Sequence, residues 1–257
     1  MRFFLTVSVG FGTRSTDRNL TTTIIDSDTS CLVLSFKLLE KREDGDEDTI
    51  DGFGGTYQQA GVKRVVQLSS IGAHREEGNG ILGVYHELER SLNELPSDVT
   101  IGFMLPVGFY YNLFGFIQTI KTQGVIATNY GGDNKKPWVS PIDIAAAVAE
   151  ELVTPFQGRR VRYVASDEVS CNELATILGA AIGKPDLKWV VIPDEQLLNG
   201  MIAAGMNQKI AAGLVEMNAA THTGKLYEDY NRHKPTLGKV KPTDFAKEFA
   251  AAYNQKC

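Results

Sequence analysis

Hydroxyl side chains that could bond to a substrate follow an apolar run near the middle of the first half of the chain. The run 62–68 is rich in valine and predicts a strand buried on both faces. Ser69 and Ser70 come directly after it, and a glycine-rich loop then leads to a helix that carries Tyr85. In an open parallel sheet, ligands collect beyond the carboxyl ends of the strands. These hydroxyls therefore predict one edge of an active site or a cofactor site.

The elements that position this edge alternate between strands and helices. Strands are predicted at 99–105, 161–165 and 187–192, and helices at 112–123, 141–153 and 242–255. Ser170 and Glu173 have the spacing of a capping box, which predicts a helix that ends near Gly183. Two more helices, broken near Gly205, are predicted within 194–220. The pattern is typical of an α/β protein with a mainly parallel sheet flanked by helices and a small helix-rich C-terminal lobe.

The start of the chain contains a weaker motif. Residues 3–9 predict a strand, and Gly10 and Gly12 follow it, which is where a dinucleotide-binding fold places its phosphate loop. No third glycine follows at the expected spacing, and the next segment lacks the apolar period of a helix. A phosphate loop and a plain glycine turn therefore both remain open for Gly10 and Gly12.

The charge, the cysteine content and the apolar runs of the sequence exclude several classes of protein. The net charge is −5 and the basic residues form no stripe, so direct nucleic-acid contact is not expected. Cys31, Cys171 and Cys257 are odd in number and far apart, which favours reduced thiols in a cytoplasmic protein. No apolar run approaches the length of a membrane span. His222 and His233 have no partners at ligand spacing, so we predict no metal site.

Four segments together resemble the NmrA-like branch of the atypical short-chain dehydrogenases. They are GVKRVVQLSSIGAH, PVGFYYN, PWVSPIDIA and VRYVASDEVSCNELATILGAAIGKP, and the resemblance covers residues 56–257. It implies a Rossmann-like domain over 1–150 that binds NAD(P), with NADPH expected. It also implies a small substrate-binding lobe over 151–257, with some elements returning to the core. Members of this branch reduce quinones or other small acceptors with NAD(P)H, or sense the dinucleotide without turning it over.

The resemblance also assigns residues. It places one loop beside the ribose and nicotinamide, and this loop comprises Leu68, Ser69 and Ser70. A second segment completes the cofactor side of the pocket with Pro106, Val107, Gly108 and Phe109. The pocket for a small-molecule substrate is expected to contain Tyr110, Asn112 and Trp138. For the aromatic rings of Tyr110 and Trp138, plain packing in the core remains equally open.

Two departures from the pattern keep several functions open. Val7 stands where the first phosphate loop of the family has glycine, and residues 1–55 as a whole are divergent. Glu89 stands where conventional members have the lysine that lowers the pKa of the tyrosine, here Tyr85. A carboxylate there is expected to raise that pKa instead. The sequence therefore allows a quinone-type reductase, a non-catalytic redox sensor, or a degenerate member with impaired cofactor binding, and it leaves the oligomeric state open.

Overall fold

The computed structural model describes residues 63–255, together with the backbone of two short strands that precede them. The strands are β1 Ile24–Asp26, β2 Cys31–Leu34, β3 Arg64–Leu68, β4 Thr100–Pro106, β5 Gly108–Phe109, β6 Val125–Thr128, β7 Lys136–Val139, β8 Arg159–Val164, β9 Asp167–Val169 and β10 Lys188–Val191. The predictions for 3–9, Gly10 and Gly12 lie outside the described residues.

The α-helices alternate with the strands along the chain. They are α1 Gly83–Asn93, α2 Ile117–Gln123, α3 Pro141–Val153, α4 Cys171–Ala181, α5 Asp194–Ala203, α6 Gln208–Thr223, α7 Glu228–Arg232 and α8 Pro242–Asn254. Short 3-10 helices occupy Gly80–Leu82, Tyr110–Phe116 and Lys225–Tyr227. Within the described part of the chain, no helix is both long and apolar enough to cross a membrane.

The main sheet has the order β1-β2-β3-β4-β8, and its pairs from β2 onward are parallel. β1 pairs with β2 in the antiparallel direction. Two smaller sheets form from β5-β7-β9 and from the parallel pair β6 and β10. This arrangement confirms the predicted α/β class with a mainly parallel sheet flanked by helices.

Local sequence explains where the helices begin. The Ser140 side chain accepts a hydrogen bond from the Ile142 amide at the start of α3, and Pro141 occupies the first turn. Ser170 and Glu173 form the predicted capping box of α4. The predicted helix at 112–123 needs correction, because its first part is the 3-10 helix Tyr110–Phe116 and only α2 is α-helical.

Two apolar clusters form the core. The first lies between the main sheet and helices α1 and α3, and it includes Val65, Ile101, Leu88 and Leu92. The second joins the Tyr110–Phe116 segment to α4 and α8 through aromatic and leucine side chains. The first cluster therefore supports the strand ends at which the hydroxyl residues lie, and the second supports the segment that follows β4.

Candidate functional site

The candidate site begins where β3 and β4 end side by side. Pairing of the two strands continues past β3, because the Ser69 amide donates to the Met104 carbonyl at 2.8 Å and the Ile71 amide donates to the Pro106 carbonyl at 3.0 Å. Successive amides of an extended strand point to opposite sides. The intervening amide of Ser70 therefore points away from β4, toward the side of the sheet that holds β2.

The loop after β3 is tied to helix α1 at two points. The Ser69 hydroxyl donates a hydrogen bond to the Glu89 carboxylate. Nδ1 of His86 lies 2.9 Å from the Ala73 carbonyl oxygen, and since a carbonyl only accepts, Nδ1 carries the proton. Asn79 adds a third bond within the loop, from its side-chain amide to the Arg75 carbonyl at 2.8 Å. These contacts fix the loop that the family resemblance predicts beside the nicotinamide.

Tyr85 lies one helical turn before Glu89 and packs against the first apolar cluster. Burial raises the pKa of Tyr85 above its ordinary value. The direction agrees with the sequence-based expectation, but the cause is burial, because the Glu89 carboxylate is turned to Ser69. The pKa of Glu89 is itself raised by burial, while the Ser69 hydrogen bond opposes that rise. The arrangement keeps Tyr85 as a neutral phenol near neutral pH.

The second predicted segment continues from the end of β4. Pro106 closes that strand and Val107 is buried, its amide donating to the Val164 carbonyl at 3.2 Å. Gly108 and Phe109 are half-buried and form β5, which pairs with β7. Leu68 is also half-buried and packs against the first apolar cluster. The structure thus brings the two predicted cofactor segments to the same edge of the main sheet.

The three residues predicted for a substrate pocket lie in different environments. Tyr110 and Trp138 are buried, and the Tyr110 ring stacks on Phe245 with centroids 5.2 Å apart and on Trp138 at 6.3 Å. Asn112 is exposed. Tyr110 carries a buried hydroxyl that has no hydrogen-bond partner among the described residues. Tyr110 and Trp138 thus lie within the second apolar cluster, and Asn112 lies on the surface.

An open cleft of about 320 Å³ borders the loop after β3, a feature that sequence reasoning did not find. Its lining is charged and consists of His74, Arg75, Glu76, Glu77, Glu228, Asp229 and Arg232. Burial lowers the pKa of His74, and the Asp229 carboxylate partly offsets that effect. The α7 residues of this cleft follow the loop by more than a hundred positions, so no local pattern could have predicted the contact.

The described residues contain no group of three or more His, Cys, Asp and Glu side chains placed to hold a metal ion. The candidate site itself contains hydroxyls, backbone amides, aromatic rings and the half-buried carboxylate of Glu89. Such groups can position a ligand and donate hydrogen bonds to it.

The chain is similar in sequence or in fold to several proteins that bind NAD(P)H or NADP. No protein-family model matches the chain. Over 197 residues it is 29% identical to the NAD(P)H azoreductase of Xenophilus azovorans, a match that covers 76% of this chain and 68% of that protein. The NADPH-dependent quinone oxidoreductase QOR2 of Escherichia coli, complexed with NADPH, superposes with a TM-score of 0.68 at 18% identity, covering 85% of this chain and 76% of that one. NmrA, a negative transcriptional regulator in complex with NADP, gives a TM-score of 0.55 at 12% identity, with 82% and 68% covered.

Proposed function

The chain has the Rossmann-like fold of the NmrA-like atypical short-chain dehydrogenases, and we propose that it binds NADPH and reduces a quinone or a similar small acceptor. The observation that carries the proposal is the shared edge of β3 and β4, where Ser69, Ser70 and the segment Pro106–Phe109 converge. The similarity to an NAD(P)H azoreductase supports an oxidoreductase role.

The described residues fit the nicotinamide half of a dinucleotide. Neither the amide nor the hydroxyl of Ser70 has a hydrogen-bond partner among residues 63–255, and the side chain is half-buried. These donors suit the carboxamide and ribose oxygens of a nicotinamide nucleoside. Phe109 and Leu68 add apolar surface beside them. Gly10 and Gly12, proposed for the phosphates, lie outside the described residues.

The reaction needs little chemistry from the protein itself. When bound, NADPH would supply the hydride, and the balanced reaction joins NADPH, quinone and one proton to give NADP⁺ and hydroquinone. Ser70 would orient the nicotinamide ring. Tyr85, kept neutral by burial, would donate a hydrogen bond to an acceptor oxygen while the proton comes from solvent.

A second candidate, a redox sensor that binds the dinucleotide without turnover, is favoured by one observation. Glu89 occupies the position of the conventional lysine and is engaged with Ser69, so no cation at that position activates Tyr85. The similarity in fold to a regulator that binds NADP is consistent with this role.

Two measurements separate these functions. Isothermal titration with NADPH and with NADH tests binding, and the absence of binding to both would reject the reductase and the sensor together. An NADPH oxidation assay with a panel of small quinones and azo dyes then tests turnover. Oxidation supports the reductase, whereas tight binding without oxidation of any acceptor supports the sensor.

A further inference from the structure

Glu89 is the acidic side chain that faces the end of β3. It lies on the inner side of α1, one turn after Tyr85 and one residue after the buried Leu88. Its carboxylate accepts a hydrogen bond from the Ser69 hydroxyl, the first side chain after the strand. Ser69 itself is 2% exposed and Glu89 is half-buried, so the bond is partly shielded from solvent. A carboxylate on a helix thus holds the first residue of the loop.

We propose that Glu89 is a positioning residue whose hydrogen bond with Ser69 fixes the loop after β3 and thereby sets the place of Ser70 beside the nicotinamide. The part that concerns the nicotinamide rests on the proposed function. Glu89 acts through Ser69 and has no contact with a ligand of its own in this proposal.

The backbone shows why one hydrogen bond has this influence. Ser69 and Ile71 are bonded to β4 through their amides, while Ser70 between them has no such bond among the described residues. The next turn is held by the Ala73 amide, which donates to the Ser70 carbonyl at 3.2 Å. A shift of Ser69 would therefore carry Ser70 and this turn with it.

The strength of the hydrogen bond between Ser69 and Glu89 depends on whether the Glu89 carboxyl is ionised. His86 and Tyr85 lie on the same helix, Tyr163 approaches from β8, and Asp229 of α7 accepts a hydrogen bond from the Tyr163 hydroxyl at 2.7 Å. Among the described residues no lysine or arginine pairs with Glu89. Burial raises the pKa of Glu89 and the Ser69 donor opposes that rise. Hydrogen bonds to an ionised acceptor are about twice as strong as neutral ones, so protonation of Glu89 loosens the contact.

Hydrogen exchange of the peptide that spans 69–75 tests the positioning role without any ligand. Glu89→Ala removes the acceptor and should speed exchange of this peptide by about ten-fold, the equivalent of one hydrogen bond to a charged group. Peptides from β8 and α4 should exchange as in the wild type. Glu87→Ala is the matched control, since Glu87 lies on the same helix and its one ion pair within residues 63–255 is with the exposed Arg90.

The pH profile separates positioning from a merely structural contribution. After correction for intrinsic exchange, the wild-type loop should show a step as Glu89 ionises, and Glu89→Gln should show none while keeping an acceptor oxygen. Ser69→Ala should loosen the same peptide and should add little to Glu89→Gln, because the two residues share one bond. Unchanged loop exchange in both Glu89→Ala and Ser69→Ala, or an equal rise in every peptide, would overturn the proposal.

A measurement of NADPH binding is the third test of the positioning role. If the wild type binds NADPH, Glu89→Ala should raise the dissociation constant about ten-fold and Glu87→Ala should leave it unchanged. If Glu89→Ala binds NADPH as tightly as the wild type, the positioning role fails although the proposed function stands. If the wild type binds no dinucleotide, the proposed function fails, and the exchange experiment alone decides whether Glu89 fixes the loop.

Discussion

A Cβ atom on Gly80 would lie 2.0 Å from the carbonyl oxygen of Gly213. The loop after β3 and helix α6 therefore meet backbone to backbone, with Gly80 at φ +57°. The contact is reciprocal, since a Cβ atom on Gly213 would lie 2.7 Å from the Ile81 side chain. Both glycines are required for this approach, which docks the loop of the candidate site onto the C-terminal helices.

We expect Gly80→Ala to break this docking. The new methyl group would meet the Gly213 carbonyl and the Met217 amide, which are backbone atoms and cannot rotate away. Together with the left-handed backbone conformation, the clash should lower the free energy of unfolding by about 3 kcal/mol or more. Urea unfolding followed by circular dichroism measures the loss.

Gly78→Ala is the matched control for that clash. Gly78 has a similar φ of +71°, but its nearest neighbour is the flexible end of Arg75 at 3.4 Å. The Gly78→Ala change should lower the free energy of unfolding by about 1–2 kcal/mol, which is the penalty of the left-handed conformation alone. Equal losses in the two variants would show that the contact between Gly80 and Gly213 contributes nothing.

Local patterns predicted much of this fold. The alternation of apolar strands and helices predicted the α/β class, and the capping box of Ser170 and Glu173 placed the start of α4 correctly. Such features depend on residues within one turn of each other. The 3-10 start at Tyr110 was missed because its aromatic side chains bury against α8, and this tertiary contact overrides the helical pattern.

Contacts between distant segments could not be read from the sequence. Glu89 occupies the position of a lysine that acts on tyrosine, so the sequence led to an expected effect on Tyr85. The structure instead turns the carboxylate toward Ser69, twenty positions earlier. The approach of Gly80 to Gly213 and the charged cleft beside α7 are likewise set by how the C-terminal helices pack.

Glu151 should be a major contributor to stability. Its carboxylate is 0% exposed and pairs with Arg160 at 2.5 Å and Arg162 at 3.3 Å, in space left by Gly102. Glu151→Gln leaves the two arginine charges without their buried partner, although both arginines are about one-third exposed, so the change should lower the free energy of unfolding by about 2 kcal/mol. The neighbouring Glu150 pairs with Arg162 but its side chain is 62% exposed.

Glu150→Gln therefore serves as the comparison and should cost less than about 1 kcal/mol. Thermal and urea unfolding of both variants give the difference. A Glu151→Gln protein as stable as Glu150→Gln would contradict the importance of burial at this ion pair.

The free energy of unfolding of the wild type should change with pH as Glu89 ionises. Burial holds the pKa of this carboxyl above its ordinary value of 4.5, so the folded protein binds the proton more tightly than the unfolded chain. Its contribution is therefore fully present below the ordinary pKa and is lost as the pH rises through the raised one. Glu89→Gln lacks this titration.

Urea unfolding of the wild type and of Glu89→Gln across this range provides the measurement. The wild type should lose stability relative to the variant as the pH rises above 4.5 and then run parallel to it. Glu87→Gln should follow the wild type throughout. A wild type that instead gains stability over this interval would mean that the Ser69 hydrogen bond outweighs burial.

Tyr85→Phe tests whether the tyrosine acts as an activated acid or only as a hydrogen-bond donor. Burial raises the pKa of Tyr85, so its hydroxyl remains protonated and its loss should remove one neutral hydrogen bond. In an NADPH-dependent quinone reductase, kcat should then fall by less than about ten-fold, and its pH profile should keep its shape. Tyr253→Phe, a change on the outer helix α8, is the control for a lost phenol. A fall of about a thousand-fold in kcat with a flattened pH profile would instead make Tyr85 the proton donor, because general acid catalysis supplies factors of that size.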